Sequence, residues 1–270
     1  MHWCLNIHAP YRCQHVGACC RASWTIPFED GTIAARDARG ACTFLDGTNG
    51  LCSVHRAGGI HALPVTCRMF PRIVLQDARG TFISLSHFCP TAASLLFDAS
   101  GDVAIVDAPP ALADVGVLDG LDAREAWPPL LRPGVLMDLE SYGAWERRAL
   151  TVLTSGDTAP RDALAALADV TARIAAWTPG SGELLDEVHI GFDALGAYVA
   201  DTSRDRAAVK RWLAARLFGA WIAYQGDGLA ATIAYLRSCL QTLEGELAVD
   251  GATLEAIRRS DLRIVHGSAP

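Results

Sequence analysis

The sequence predicts a mainly α protein: a small, irregular, metal-tied cysteine-rich N-terminal domain with a short β-hairpin, followed by an α-helical bundle. Three observations carry this. Eight of the nine cysteines (Cys4, Cys13, Cys19, Cys20, Cys42, Cys52, Cys67 and Cys89) and six of the eight histidines lie in the first 89 residues. Turn signals at Asp46-Gly47, Asn49-Gly50 and Gly58-Gly59 crowd that segment and leave little room for long elements. Beyond Val135 the apolar residues recur with the 3.6-residue period of a helix.

Composition narrows the function classes. With 51% hydrophobic and 20% charged residues over 270 positions, the chain can bury a sizeable core and is not disordered. The net charge of −7 argues against a general nucleic-acid binder. That charge is unevenly spread, since residues 1–89 hold 8 Arg against 5 Asp or Glu and the remainder is strongly acidic. No run approaches the 18 consecutive apolar residues of a membrane span. The N-terminus, Met-His-Trp-Cys-Leu-Asn-Ile-His-Ala-Pro, has no basic region followed by an apolar stretch and cleavage site, so a cytoplasmic chain is expected. In that compartment clustered thiols serve metals or catalysis; the alternative is a disulfide framework.

Taken in chain order, Cys4 to Cys20 reads as a ligand-bearing loop broken at Pro10 and Gly17 and running into a short helix. Trp24, Ile26 and Phe28 alternate with Ser23, Thr25 and Pro27, which predicts a brief strand. Ile73–Leu75 and Thr81–Leu85 flank a turn at Gly80 and predict a β-hairpin. A short helix is expected over 91–97 and a strand over 102–106. Residues 107–134 contain five of the thirteen prolines and are read as a linker between a 1–106 cysteine-cluster domain and a 135–270 helical domain. Helical stripes follow at about 139–154, 161–177, 184–200, 209–224, 228–247 and 252–259, so five or six helices are expected. Trp212, Trp221 and Cys239 read as core or interface residues of that bundle.

The chemistry sits in the cysteines. Thiolates are soft ligands for zinc and iron–sulfur clusters, and a bound metal would stabilise a turn-rich segment that lacks a large core. The candidate ligands are Cys13, Cys19, Cys20, Cys42, Cys52, Cys67 and Cys89, with His15 a further candidate; His55 and His61 read as ordinary loop histidines. The adjacent pair Cys19-Cys20 can serve two metals or two irons of one cluster. Arg12, Arg21, Arg56, Arg68, Arg72 and Arg79 would offset the negative charge of a thiolate centre or simply solvate the surface. Tyr11, Trp24, Phe44 and Phe70 flank the cysteines and are expected to form a dry shell. The chain has no Gly-x-Gly-x-x-Gly, no Gly-x4-Gly-Lys-Ser/Thr, no Gly-x-Ser-x-Gly and no Cys-x3-Cys-x2-Cys.

The strings YRCQHVGACCRASW, CTFLDGTNGLCSVHRAGGIHALPVTCRMFPR and SLSHFCP, spanning about residues 11–97, resemble the family of cysteine-cluster domains described as zinc- or iron-chelating, most closely its flagellin lysine-N-methylase branch. The resemblance implies a metal centre on Cys13, Cys19, Cys20, Cys42, Cys52, Cys67 and Cys89. It implies an iron–sulfur cluster, of 4Fe-4S type, or zinc, and protein-lysine N-methylation with S-adenosylmethionine as methyl donor and a protein as substrate. A non-catalytic, redox- or metal-responsive module that docks a protein partner is the other reading. One position departs from the family's Cys-x2-Cys-x2-Cys-Cys string: its second cysteine falls on Val16, which cannot ligate, so Cys4 or His15 would have to stand in or one metal position is absent. Catalytic and methyl-donor-binding residues are not assignable from the sequence.

Overall fold

The computed structural model describes residues 1–22, 24–116, 118–195 and 203–267. Its N-terminal part begins with strand β1 (His2–Leu5), helix α1 (Ala18–Arg21), helix α2 (Ser53–Gly58) and helix α3 (Val65–Met69). The predicted hairpin follows as β2 (Arg72–Asp77) and β3 (Gly80–Leu85), paired antiparallel from Arg72↔Leu85 to Asp77↔Gly80. Next come α4 (Pro90–Asp98), β4 (Ile105–Asp107), α5 (Pro110–Ala113), β5 (Leu121–Asp122), β6 (Leu130–Arg132) and β7 (Val135–Leu136). Among the described residues six long helices follow: α6 (Leu139–Thr154), α7 (Pro160–Ala175), α8 (Leu184–Asp193), α9 (Arg204–Leu217), α10 (Leu229–Asp250) and α11 (Thr253–His266). The protein is mainly α, with a small mixed sheet.

That sheet has the order β4-β1-β3-β2-β5, with β1 parallel to β3 and antiparallel to β4. Both faces are covered, and the two-residue period of a strand decides which side chain goes where. On one face Leu5, Leu75 and Phe82 join the large core built by Trp145, Leu150, Trp212, Leu213 and Leu217 of the helices. On the other face Cys4, Val74, Ile83 and Leu85 pack with Tyr11, Cys89, Ala92 and Leu112. Because both faces are buried, β3 reads as a nearly continuous apolar run rather than a strict alternation. A third, smaller cluster of Cys20, Ile26, Ala34 and Cys42 lies in the turn-rich lobe.

Polar ties fix sheet to helices. Arg79 bridges Asp77 of β2 at 2.7 Å and Glu146 of α6 at 2.9 Å. Tyr224 Oη donates to the same Asp77 at 2.6 Å. Ser84 Oγ donates to the Ala215 carbonyl at 3.1 Å, and Arg216 donates to the Leu85 carbonyl at 2.9 Å. All but the Ser84 bond are charge-assisted, and each lies at least partly buried, where a half-made bond is costly.

Four expectations are corrected. Residues 107–134 are not an open linker: they carry α5, β5 and β6, with Leu112 and Leu131 fully buried. The sheet and the helices share one core across the expected boundary at 106. The 209–224 stripe is not one helix, because the chain turns at Phe218 and Gly219, the latter at φ 64 with Phe82 Cβ 3.1 Å from where a Cβ would sit. Between Trp24 and Phe28 the strand reduces to a single bridge, Pro27↔Ile33, since each flank has too few partners to extend a ladder. The stripe expected over 184–200 forms a helix as far as Asp193, and residues 196–200 lie outside the described residues.

Candidate functional site

Short segments bring the cysteines together. The loop after β1 carries Cys13, and α1 presents Cys19 and Cys20. Gly17 opens α1 at φ 68, where an added Cβ would meet Gly50 O at 2.9 Å and Leu45 Cδ1 at 3.0 Å, so only glycine lets this loop close on the 45–50 turn. That turn is organised by Asp46, which accepts from Thr48 N at 2.9 Å, Thr48 Oγ1 at 2.6 Å and Asn49 Nδ2 at 2.7 Å. It pairs Leu45 with Cys52 and places Cys52 as the N-cap of α2. Cys42 N–H donates to Cys20 O at 2.8 Å. Arg36 staples the same lobe, donating to Cys20 O at 3.2 Å, to Gly40 O at 3.0 Å and to Trp24 O. Cys67 lies in α3, and Cys89 is the N-cap of α4, with Pro90 in its first turn.

Six of the seven predicted ligands, Cys13, Cys19, Cys20, Cys52, Cys67 and Cys89, line one cavity of about 140 Å³. His15 and His55 line it too, their rings 4.3 Å apart between centroids. Cys42 does not line it and is buried in the apolar cluster that also holds Cys20, with Cys19, Cys52 and Cys67 packed against that cluster. All nine cysteines are free thiols. Among the described residues, no group of three or more His, Cys, Asp or Glu side chains is disposed as a ready-made metal cage. The donor chemistry suits a soft metal, whereas the described residues do not show the spacing of a closed coordination shell.

The two candidates to replace the missing family cysteine part company. Cys4 is buried in β1, its thiol 4.0 Å from the Asp107 carbonyl, and is not among the cavity's lining residues. Burial, then the Asp107 charge, pushes this thiol up to about 12. His15 faces the cavity and is, among the described residues, the one non-glycine with positive φ, at 55°. Val16 is an exposed part of the same rim. His61 is exposed in a turn and stands apart.

Neighbouring charges and burial set the character of the thiols. Burial first, then Cys20, Cys52 and Cys42, pushes the Cys67 thiol up to about 12. Burial likewise raises Cys42. Cys20 is raised by the adjoining Cys19 and by burial, an effect that Cys52 and Arg21 partly offset. On the opposite wall, burial and the Cys89 and Cys13 thiols raise Tyr11, whose Oη is 3.9 Å from Cys89 Sγ. Gathered thiols of this kind hold their protons unless a cation compensates them.

The arginines divide. Arg12, Arg68 and Arg72 line the cavity. Arg72 spends its donors on the carbonyls of Leu112, Arg68 and Ala111, at 2.6, 3.1 and 3.0 Å. Arg56 pairs with Asp46 at 3.3 Å on the surface, and Arg79 belongs to the sheet–helix junction, away from the site. Tyr11 and Phe70 line the cavity, and the Trp24 ring packs against Phe70 at a 42° tilt with 5.2 Å between centroids.

The chain matches no family model, no curated protein and no solved structure. The resemblance of the cysteine strings therefore stands on the motifs themselves. No helix among the described residues is long and apolar enough to cross a membrane.

Sequence reasoning missed a second polar centre beside the cysteines. Asp261, His87 and His8 are fully buried in a row: His87 Nδ1 lies 3.3 Å from Asp261 and His87 Nε2 lies 3.2 Å from His8 Nε2. Trp212 Nε1 donates to Asp261 at 2.8 Å. Burial opposes the Asp261 charge, but Arg216, His87 and Trp212 outweigh it and hold the carboxyl below the usual carboxylate range. Burial, then His87 and Arg216, pushes His8 well below the usual imidazole range despite Asp261. These residues come from β1's exit, the Ser84–Cys89 segment and α11, and nothing in their local sequence pattern marks them.

Proposed function

We propose that this chain is a cysteine-cluster metal protein that holds an iron–sulfur centre, with zinc as the alternative metal, on thiols of its N-terminal lobe. The observation that carries this is the convergence of Cys13, Cys19, Cys20, Cys52, Cys67 and Cys89 on one cavity, with Cys42 in the apolar cluster that also holds Cys20, from segments spread over 77 residues of chain. The small apolar cluster around Cys20, Ile26, Ala34 and Cys42 supports the same reading, because so little buried apolar surface leaves the lobe short of stabilisation that metal binding would supply. Arg12, Arg68 and Arg72 would offset the charge of a thiolate centre, and the tilted Trp24–Phe70 pair would limit its contact with water. When bound, such a centre supplies either redox chemistry or a rigid cross-link between the segments. This reading places the chain in a reducing compartment, the cytoplasm.

The experiment is anaerobic purification with iron, zinc and acid-labile sulfide analysis and a visible spectrum. Brown protein with iron and sulfide in equal amounts supports the cluster. Colourless protein with stoichiometric zinc supports the alternative metal. Protein with neither, whose thiols resist alkylation until reduced, overturns the proposal in favour of disulfides.

The lysine N-methylase activity implied by the motif resemblance is carried by that resemblance. Its test is saturable, metal-dependent binding of S-adenosylmethionine. Absence of such binding favours a non-catalytic module that docks a protein partner.

A further inference from the structure

The cavity that gathers the thiols is cationic. Arg12, Arg68 and Arg72 line it, and no aspartate or glutamate does. Arg12 and Arg72 make no ion pair among the described residues; their bonds run to neutral carbonyls, those of Tyr11 and Ala9 for Arg12 and those of Leu112, Arg68 and Ala111 for Arg72. Arg68 is less well provided for. Its side chain is only 13% exposed, and its Nε is buried and meets no hydrogen-bond acceptor among the described residues. Its ion-pair partner is Glu29, which stands 3.6 Å from Nη2, beyond hydrogen-bond reach, and is 83% exposed. A guanidinium held this deep with an unused donor has lost hydration without gaining a partner, a cost that a bound anion would offset. Thiols are largely neutral near pH 7 until a metal displaces their protons, so the cysteines do not supply that counter-charge in the chain itself.

Much of the remaining wall is apolar. Val16, Ala18, Ile60, Leu63, Phe70 and Ala111 line the same space, whose volume of about 140 Å³ is close to that of an engineered apolar cavity that takes up benzene. We infer that this cavity binds a small organic carboxylate, with a hydrocarbon part of about benzene size against the apolar wall and the carboxylate held by Arg68. A guanidinium presents a planar fork of donors that matches the two oxygens of a carboxylate. Phosphate fits less well, because a doubly charged group in so apolar a space needs donors on several sides, and Arg72 has already committed its Nε, Nη1 and Nη2 to carbonyls. Glu29 is then a resident counter-ion that the ligand displaces. The inference goes beyond the metal reading and does not depend on it, since it uses the arginines and the apolar wall rather than the thiols.

The test is isothermal titration calorimetry on the full-length reduced chain, with benzoate and hexanoate as probes and benzamide, benzylamine and inorganic phosphate as controls. Benzoate is expected to bind at one equivalent, and benzamide and benzylamine at least tenfold more weakly, a comparison that needs no substitution. Arg68→Gln is expected to weaken benzoate binding at least tenfold, and Arg68→Lys, which keeps the charge without the fork, about threefold or more. Arg124→Gln removes a surface cation paired with Asp122 and should change the affinity less than twofold. Glu29→Gln should bind benzoate no more weakly than the unmodified chain. Benzamide binding as tightly as benzoate overturns the inference, as does full affinity in an Arg68→Gln chain whose far-UV circular dichroism shows it folded. Phosphate that displaces benzoate at equal concentration overturns the carboxylate assignment, and the absence of heat from benzoate and hexanoate up to about 10 mM overturns the site. Iron, zinc and sulfide are assayed on the same samples: metal-free protein that binds benzoate removes the metal reading alone, and metal-loaded protein that does not bind it removes this inference alone.

Discussion

The helical body and the cysteine lobe reach order by different physics. In the body, Trp145, Trp212, Leu150, Leu167, Leu213 and Leu243 are fully or almost fully buried in one core shared with the sheet. Each side chain of this size contributes about 1.5–3 kcal/mol by leaving water. In the lobe, the buried apolar members are Cys20, Ile26, Ala34 and Cys42, and isolated bridges replace a sheet. Its order comes from Asx turns, from the Arg36 staple and from glycine-permitted close approach. The same chain thus has one region that folds on apolar burial and another that is ordered by turns and side-chain-to-backbone bonds around a much smaller apolar cluster.

The largest expected effect breaks the body. Trp145→Ala removes a fully buried indole whose Nε1 donates to Thr171 Oγ1 at 3.2 Å, and should cost about 4 kcal/mol. Urea denaturation followed by far-UV circular dichroism reads this directly, and a shift under about 1 kcal/mol would show that the body is not held as described.

Next in size is the polar joint between α9, α11 and the sheet. Asp261→Asn leaves Arg216 buried without its counter-charge, at 3.7 Å, and should cost about 3 kcal/mol. The same denaturation series checks it, with Arg216→Met in the Asp261→Asn background expected to recover part of the loss.

Acid should find the same joint. His8 is buried with its imidazole pushed well below the usual range, so the folded chain keeps it neutral where the unfolded chain binds a proton. Stability is therefore full above the unfolded value near 6.5 and falls as pH drops below it, by up to about 1.4 kcal/mol per pH unit for one such group. His87, also lowered by burial against Asp261, acts in the same sense. Urea midpoints between pH 7.5 and 5.5 should decline, and His8→Gln should flatten the decline; an identical slope in the variant would remove His8 from the account.

The smallest global effect, and the sharpest contrast, belongs to the lobe. Asp46→Ala deletes the acceptor that organises the 45–50 turn. Limited proteolysis between Cys42 and Cys52 should accelerate several-fold while the urea midpoint of the body stays in place. A parallel loss of the body's midpoint would mean that lobe and body fold as one unit.

Much of the fold was legible because its signals are local. The hairpin around Gly80, α4, and the 139–154 helix follow from period and punctuation, and the Asp138 carboxylate caps the last of these through Ser141 N–H at 2.7 Å. The 107–134 stretch was misread because proline density suggests a linker, whereas Leu112 and Leu131 find buried places that only the assembled sheet and helices create. The break at Gly219 was hidden for a similar reason: the apolar stripe continues through Trp221 and Tyr224, yet Gly219 N–H turns aside to donate to Glu146 at 3.1 Å.

For the site, the sequence by itself determined the ligand types and their crowding into the first 89 residues, since residue chemistry and spacing are properties of the chain. It also determined that Val16 cannot ligate. Tertiary structure alone decided that Cys4 goes to the sheet and away from the cavity, because strand alternation sends its side chain to the face opposite Leu5. It alone brought Cys13, Cys20 and Cys89 to one cavity, and assembled Asp261, His87 and His8 from three distant segments. Those are long-range placements, set by which buried surfaces close on one another, and no local pattern of residues encodes them.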